Sequence, residues 1–133
     1  MKTILVDDMA LDMQLLELKC ADMPEIEIVG KFTVPEEAIA YAATHDVEFA
    51  MLDIDMPGMN GIELAMRLRE LRQDVIIVFI TAHPRYAVQA FQMKADYMVF
   101  KPFDRADILD VLERARLLQI RQKKRVQFHT FGN

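Results

Sequence analysis

Apolar runs of four to seven residues alternate along this chain with segments in which apolar residues recur every three or four positions. The first pattern is typical of buried strands and the second of amphipathic helices. The run VIIVFI at 75–80 is β-branched and aromatic, which favours a strand buried on both faces. The predicted strands are 3–6, 26–32, 49–53, 75–80 and 97–100.

A helix is predicted after each strand. Asn60 follows the Pro57-Gly58 turn and is placed to cap the third helix, because an Asn side chain accepts hydrogen bonds from a first helical turn. The fourth helix is predicted around 85–93, and the last opens near Asp104 and passes Leu118. The apolar residues at helical spacing are Leu11, Leu15 and Leu18; Ala38, Ile39 and Ala42 within 35–45; Leu64, Leu68 and Leu71; and Ile108, Leu112 and Ala115.

Strict alternation of strands and helices predicts an α/β domain with a parallel sheet and helices on both faces. A length of 133 residues suits one domain with a short extension. The helical pattern breaks near residue 122, after which RVQFHTFGN (125–133) alternates like a strand. We therefore expect one domain over 1–122, and over 123–133 a linker with the start of a truncated further domain.

Charge, cysteine content and the apolar segments argue against a nucleic-acid-binding surface, a disulfide-bonded protein and a membrane protein. Residues 114–133 hold six of the 16 basic residues and no acid, so residues 1–113 carry a net charge of −11 and make a poor nucleic-acid surface. The single cysteine, Cys20, excludes an internal disulfide and is expected to be a buried thiol. The start MKTILVDD places acids where a signal peptide is apolar, and VIIVFI is too short to span a membrane. A cytoplasmic protein is expected.

Polar groups end four of the five predicted strands. They are Asp7 and Asp8 after the first strand, Asp53 on the third, Thr81 after the fourth and Lys101 after the fifth. Right-handed crossovers bring the carboxyl ends of parallel strands to one edge of the sheet, where open α/β sheets bind ligands. We therefore expect three carboxylates, a hydroxyl and an amine to converge on one crevice.

Three adjacent carboxylates repel each other unless a cation lies between them. Oxygen ligands alone favour Mg²⁺, which adds a phosphate oxygen to its protein carboxylates. Lys101 can neutralise a bound phosphoryl group, and Thr81 can donate a hydrogen bond to it. Asp53, on the middle strand of the crevice, is the candidate phosphate acceptor, since carboxylates form aspartyl phosphates.

Four motifs in this order resemble the receiver domain of two-component response regulators from Met1 to about residue 122. They are VDD (6–8), LDIDMPGMNG (52–61), ITAH (80–83) and FKPF (100–103). The resemblance implies a flavodoxin-like, doubly wound (βα)5 fold with strand order 2-1-3-4-5. It also implies a signalling switch in which a sensor histidine kinase phosphorylates Asp53. Such a domain is not an enzyme beyond its self-catalysed phosphorylation and dephosphorylation.

The same resemblance assigns roles to the crevice residues. Asp8, Asp53 and the main-chain carbonyl of Asp55 would bind Mg²⁺, while Asp7 would act through a water. Thr81 would move toward the phosphoryl group, and Lys101 would pair with it. The family raises the expectation of a cis peptide before Pro102, although cis is a minority state for X-Pro bonds in general.

One position departs from the family pattern. Met98 stands where the family usually has the aromatic ring that turns inward when the threonine moves. Tyr97 comes one residue early and is predicted on the opposite face of the strand. Two alternatives stay open: the relay is absent, or the flexible thioether of Met98 carries it.

The output and the assembly state are expectations from the same family. VQFHTFGN (126–133) is similar to the opening strand of the winged-helix domain in regulators with a transcriptional-activator region. This favours a DNA-binding output that regulates transcription. A homodimer through the fourth helix, the fifth strand and the last helix is expected, because Thr81 and Lys101 flank that fourth helix in sequence.

Two other functions fit parts of the sequence. A phosphohydrolase of the haloacid dehalogenase type would use Asp53 as nucleophile and Asp55 as general acid, but Pro57 stands where that family has Thr or Val. A flavin-binding module would need a phosphate-cradling loop after the first strand, where VDDMALD is acidic. His83 is interpreted as an exposed loop residue. Five acids are interpreted as solvated helix faces or caps without chemistry: Asp12, Glu17, Glu36, Glu37 and Asp104.

Overall fold

Five parallel strands form one sheet in the computed structural model, which describes the backbone of residues 1–132 and the side chains of residues 1–125. The strand order is β2-β1-β3-β4-β5. This confirms the predicted flavodoxin-like fold class and strand order. The strands are β1 (Lys2–Val6), β2 (Glu27–Phe32), β3 (Phe49–Asp53), β4 (Ile76–Thr81) and β5 (Tyr97–Phe100).

A helix follows each strand, as the alternation of patterns predicts. A short 3₁₀ turn, Pro84–Tyr86, precedes the fourth helix. The Asn60 side chain accepts a hydrogen bond of 2.9 Å from the Glu63 N–H, which confirms the predicted cap of the third helix. The helices are α1 (Ala10–Cys20), α2 (Pro35–Thr44), α3 (Gly61–Leu71), α4 (Ala87–Gln92) and α5 (Arg105–Gly132).

Two apolar clusters lie on opposite faces of the sheet. One packs residues of α1 and α5, including Leu16 and Ile108, against the sheet. The other packs residues of α2, α3 and α4 against the opposite face, with Leu64 and Ala90 among them. Every residue of β4 is buried, as its β-branched and aromatic sequence predicts. The helices therefore cover both faces and leave the strand ends open at the edges.

The leucines that indicate α1 do not face the core. Leu11 and Leu18 are 75% and 72% exposed. The buried side of the helix consists of Met13, Leu16 and Cys20 instead. Because α1 carries apolar residues around most of its circumference, sequence spacing alone does not select the buried side. Burial raises the pKa of the Cys20 thiol to about 11, in line with the predicted buried thiol.

The last helix is longer than the sequence pattern indicates. It continues through residue 122 to Gly132, so the prediction of a strand over 125–133 is wrong for the described backbone. The segment from Arg105 to Phe131 contains neither Gly nor Pro. A helix satisfies its backbone hydrogen bonds within the segment, whereas a strand requires a neighbouring strand. The side chains of 126–133, on which the winged-helix resemblance rests, lie outside the described residues.

Candidate functional site at the carboxyl edge of the sheet

The strand register aligns the carboxyl ends of β1, β3, β4 and β5, the four strands that end in polar groups. Val6 of β1 pairs with Leu52 of β3, so Asp7 and Asp53 follow at the same level. Asp53 pairs with Ile80 of β4, and Thr81 pairs with Phe100 of β5. Each strand therefore delivers its polar residue to the same edge, where the structure brings Asp7, Asp8, Asp53, Thr81 and Lys101 together.

Three carboxylates form a cluster in this crevice. Asp7, Asp8 and Asp53 each place one oxygen so that all three oxygens lie within 4.8 Å of one another. Asp8 Oδ1 is buried and has no hydrogen-bond partner among the described residues. A buried carboxylate oxygen without a donor is costly unless a cation compensates it. The cluster therefore fits a hard divalent cation such as Mg²⁺.

Asp53 is the most perturbed acid of the crevice. It is only 6% exposed. Burial raises its pKa to about 7, the negative charges of Asp7 and Asp8 add to the rise, and Lys101 opposes it. In the absence of a metal ion, Asp53 is thus partly protonated near neutral pH. A bound cation would favour its ionised, nucleophilic form.

Two carboxylates hold the Lys101 ammonium group, which does not form a hydrogen bond with Asp53. Its Nζ donates to Asp7 Oδ2 at 3.0 Å and to Asp12 Oδ2 at 2.8 Å, and lies 3.9 Å from Asp53 Oδ1. Burial acts to lower the pKa of Lys101, but the hydrogen bonds to Asp12 and Asp7 outweigh burial and raise it. Lys101 is therefore a fixed ammonium beside the acid cluster. The Lys101–Pro102 peptide is cis, as the resemblance leads one to expect.

Asp12 is the residue of this site that sequence reasoning missed. Its interpretation as a solvated acid without chemistry is corrected by its short contact with Lys101. Asp12 lies on the first turn of α1, four residues after Asp8, so α1 carries it along the rim of the crevice. The only available signal was that Asp12 lies four positions after a candidate ligand, Asp8, in the sequence.

Thr81 and the loop after it form the wall of the crevice next to α4. Thr81 is fully buried, and its Oγ1 accepts a hydrogen bond of 3.1 Å from the His83 N–H. His83 Nε2 lies 3.0 Å from Asp55 Oδ2, so the loops after β3 and β4 contact each other beside Asp53. His83 therefore has a specific partner in Asp55, which its interpretation as an exposed loop residue did not include. The Asp55 side chain is directed to this histidine.

Met98 and Tyr97 lie on opposite faces of the sheet, as the period-two rule predicts. Met98 packs with the cluster of α2, α3 and α4, and Tyr97 packs with the cluster of α1 and α5. The Arg114 guanidinium lies 5.8 Å from the centre of the Tyr97 ring. The Tyr97 side chain thus points away from Thr81. Met98 is the β5 side chain that packs on the same face of the sheet as α4.

The fold and the crevice define a doubly wound α/β domain with an acidic site at the carboxyl edge of its sheet. Residues 3–113 match the response regulator receiver domain, and the chain belongs to this family of two-component signalling switches. The resemblance that the four motifs indicate is thereby confirmed. The family match and the fold lend no support to the phosphohydrolase alternative.

Relatives agree with this assignment. The chain is 35% identical over 102 residues to the transcriptional regulatory protein NatR of Bacillus subtilis, covering 77% of this chain and 44% of NatR. The response regulatory domain of MrkE from Klebsiella pneumoniae has 28% identity and a TM-score of 0.78, covering 93% and 99% of the two chains. Response regulator TrrA from Thermotoga maritima, solved in complex with Mg²⁺-BeF, has 29% identity and a TM-score of 0.76, covering 86% and 99%.

The chain spans about half the length of the curated relatives that it matches. Several of these relatives are named as transcriptional regulatory proteins, as NatR and YpdB are. Receiver domains bind Mg²⁺ at an acidic pocket, and the Asp cluster occupies the corresponding edge of this sheet. Within the described part of the chain, no helix has the length and apolar character needed to cross a bilayer.

Proposed function

We propose that Asp53 accepts a phosphoryl group from a phosphohistidine of a sensor histidine kinase and that this modification controls a C-terminal output. The observation that carries the proposal is the crevice itself, in which a buried carboxylate lies between two other acids and an ammonium group. The family assignment supports the same chemistry.

In the proposed transfer, an Asp53 carboxylate oxygen attacks phosphorus in line with the phosphorus–nitrogen bond. The new oxygen–phosphorus bond forms as that bond breaks, and the imidazole nitrogen keeps the electron pair. The product is an acyl phosphate on Asp53 with three negatively charged or partly charged phosphoryl oxygens. Lys101 is close enough to pair with one of these oxygens, and the Thr81 hydroxyl can turn to donate a hydrogen bond to another.

The proposed magnesium ligands are Asp8, Asp53 and the main-chain carbonyl of Asp55, with Asp7 acting through a water. Asp8 Oδ1, which has no hydrogen-bond partner among the described residues, supports this set, because a cation would satisfy it. When bound, Mg²⁺ supplies positive charge to the carboxylates and to the phosphoryl oxygens. The self-catalysed loss of the phosphoryl group would use the same residues.

A surface on α1 supports an interaction with the kinase. Met9 follows the acid pair directly and is 55% exposed, and Leu11 on the first turn of α1 is 75% exposed. Leu15 and Leu18 extend the same apolar character along the helix. A phosphodonor protein must approach Asp53 from this edge of the sheet. Apolar side chains at the rim of the crevice can bury against such a partner.

A second exposed surface supports the proposed homodimer through α4, β5 and α5. Val88 and Phe91 of α4 are 66% and 84% exposed, and apolar side chains exposed together on one helix can form part of a protein interface. Phosphorylation would bias this surface through Thr81, which ends the strand beside that of Asp53 and precedes α4 in the chain. The proposed output is a DNA-binding domain joined beyond α5, as the names of the curated relatives suggest.

Labelling with a small phosphodonor tests the acceptor. Incubation with acetyl phosphate and Mg²⁺ should add one phosphoryl group, detected by intact-protein mass spectrometry, and Asp53→Asn should abolish it. Asp55→Asn is the matched control, because it keeps the main-chain carbonyl and changes only a side chain directed to His83. A phosphohydrolase would lose activity in both variants. Normal labelling of Asp53→Asn would disprove the acceptor assignment.

Sedimentation tests the dimer. With Mg²⁺ and beryllofluoride, the wild-type chain should sediment as a dimer at concentrations where it is otherwise monomeric. Phe91→Asp should prevent this shift without altering beryllofluoride binding, since the Phe91 side chain is exposed and Phe91 is not one of the crevice residues. Identical wild-type profiles with and without beryllofluoride would contradict phosphorylation-dependent dimerisation.

A further inference from the structure

We infer that Asp12 is a positioning residue that holds Lys101 away from Asp53 until a phosphoryl group arrives. The inference rests on the proposed function and assigns to α1 a part in regulating it. Lys101 Nζ lies 2.8 Å from Asp12 Oδ2 but 3.9 Å from Asp53 Oδ1. The lysine is thus hydrogen-bonded to Asp12 at the rim of the crevice, and it lies near Asp53 without a hydrogen bond to it.

The geometry makes Asp12 a competitor of Asp53 for the same ammonium group. The Lys101 side chain is 18% exposed, so its direction is set mainly by its protein partners. Asp7 holds it from within the acid cluster at 3.0 Å, whereas Asp12 lies outside the three-carboxylate cluster, on α1. Removing the Asp12 charge would leave Asp7 and Asp53 as the acids within 4 Å of Lys101 among the described ion pairs.

Removal of the Asp12 charge should change the affinities for Mg²⁺ and for a phosphoryl mimic in opposite directions. Without the Asp12 charge, Lys101 turns further into the acid cluster and competes with Mg²⁺ for the same carboxylates, which weakens Mg²⁺ binding. An anionic phosphoryl mimic binds more tightly, because Lys101 no longer has to break its hydrogen bond to Asp12. The variant also lacks a negative charge that would repel the anion. A merely structural role for Asp12 would weaken both kinds of binding together.

The test compares Asp12→Asn, which keeps the side-chain shape, with a matched variant, Glu17→Gln. Glu17 lies on the same helix, is similarly exposed and forms an ion pair of 2.7 Å with Lys31 instead of with Lys101. Mg²⁺ affinity is measured by calorimetry, and beryllofluoride affinity is measured at saturating Mg²⁺. We expect Asp12→Asn to weaken Mg²⁺ binding by about two- to fivefold and to tighten beryllofluoride binding by about two- to fivefold. Glu17→Gln should leave both constants within about 1.5-fold of wild type.

Three outcomes would overturn the inference. They are unchanged constants in Asp12→Asn, a shift of both constants in the same direction, and an equal response in Glu17→Gln, which would assign the effect to overall charge. A wild-type chain that binds neither Mg²⁺ nor beryllofluoride would instead contradict the proposed function. Wild-type binding that Asp12→Asn leaves unaltered contradicts the role of Asp12 alone.

Discussion

At the scale of single residues, the three carboxylates of the cluster differ in what satisfies them. Asp7 accepts hydrogen bonds from the Met9 N–H and from Lys101. Asp8 has a buried oxygen without a partner among the described residues. Asp53 is buried next to both acids, and its pKa is raised to about 7. One residue type thus provides an anchor for the lysine, a buried oxygen that a cation would satisfy and a candidate nucleophile, because each environment is different.

The raised pKa of Asp53 predicts a pH-dependent cost in stability. Its unfolded value is 3.8 and its folded value about 7, so between these values the folded state holds a proton that the unfolded state has lost. The free energy of unfolding therefore falls as pH rises from about 4 to 7, and the full cost is present above pH 7. In the presence of a chelator, Asp53→Asn should raise the free energy of unfolding, with a larger gain at pH 8 than at pH 5.

Denaturant titrations of both proteins at the two pH values measure this difference. Asp55→Asn is the control, because its half-exposed side chain should alter stability far less at pH 8. An equal effect of Asp53→Asn at pH 5 and pH 8 would contradict the assignment of the raised pKa to Asp53.

At the scale of elements, the acceptor strand and the following helix approach each other closely at a glycine. A Cβ on Gly61, the first residue of α3, would lie 2.0 Å from the main-chain oxygen of Asp53. The Gly61 N–H also donates to the Ile54 carbonyl at 2.9 Å. The start of α3 is thus packed against the end of β3, and the position of Asp53 depends on this contact.

We predict that Gly61→Ala lowers the free energy of unfolding by about 1–3 kcal/mol, since backbone must shift to admit the methyl group. It should also weaken Mg²⁺ binding, because the displaced backbone carries Asp53. Gly58→Ala is the control: Gly58 has φ of +76°, but apart from its two chain neighbours no atom of the described residues lies within 4 Å of an added Cβ. Its cost should be about 1 kcal/mol from backbone strain, with little change in Mg²⁺ affinity. Equal Mg²⁺ affinities for the two variants would contradict this account.

At the scale of the whole molecule, the site exists only in the folded chain. Asp7, Asp53 and Lys101 come from three strands and meet because the parallel sheet aligns their ends. In the unfolded chain these groups are far apart on average. Cation binding at the cluster and folding of the domain are therefore linked.

This linkage predicts that Mg²⁺ stabilises the domain by about 2.7 kcal/mol at 100 times its dissociation constant. Thermal unfolding at increasing Mg²⁺ concentrations measures the effect. Asp8→Asn should reduce the increase in Tm, because Asp8 supplies the buried oxygen that has no hydrogen-bond partner within the described part of the chain. An undiminished increase in Asp8→Asn would show that Mg²⁺ acts elsewhere on the chain.

The sequence by itself determined the elements that local patterns encode. The strands and the start of α3 follow from apolar runs, helical spacing and the capping residue Asn60, all of which act over a few neighbouring residues. The crevice residues could also be predicted, because strict alternation of strands and helices leaves one edge for all the carboxyl ends.

Tertiary structure alone decided which side of α1 is buried and which partners the polar side chains find. Asp12 reaches Lys101 across 89 positions of sequence, and His83 meets Asp55 across two loops. Such contacts depend on strand register and on how each helix is rotated against the sheet. Both are set by the combined packing of many residues, whereas a sequence window records only the periodicity within one element.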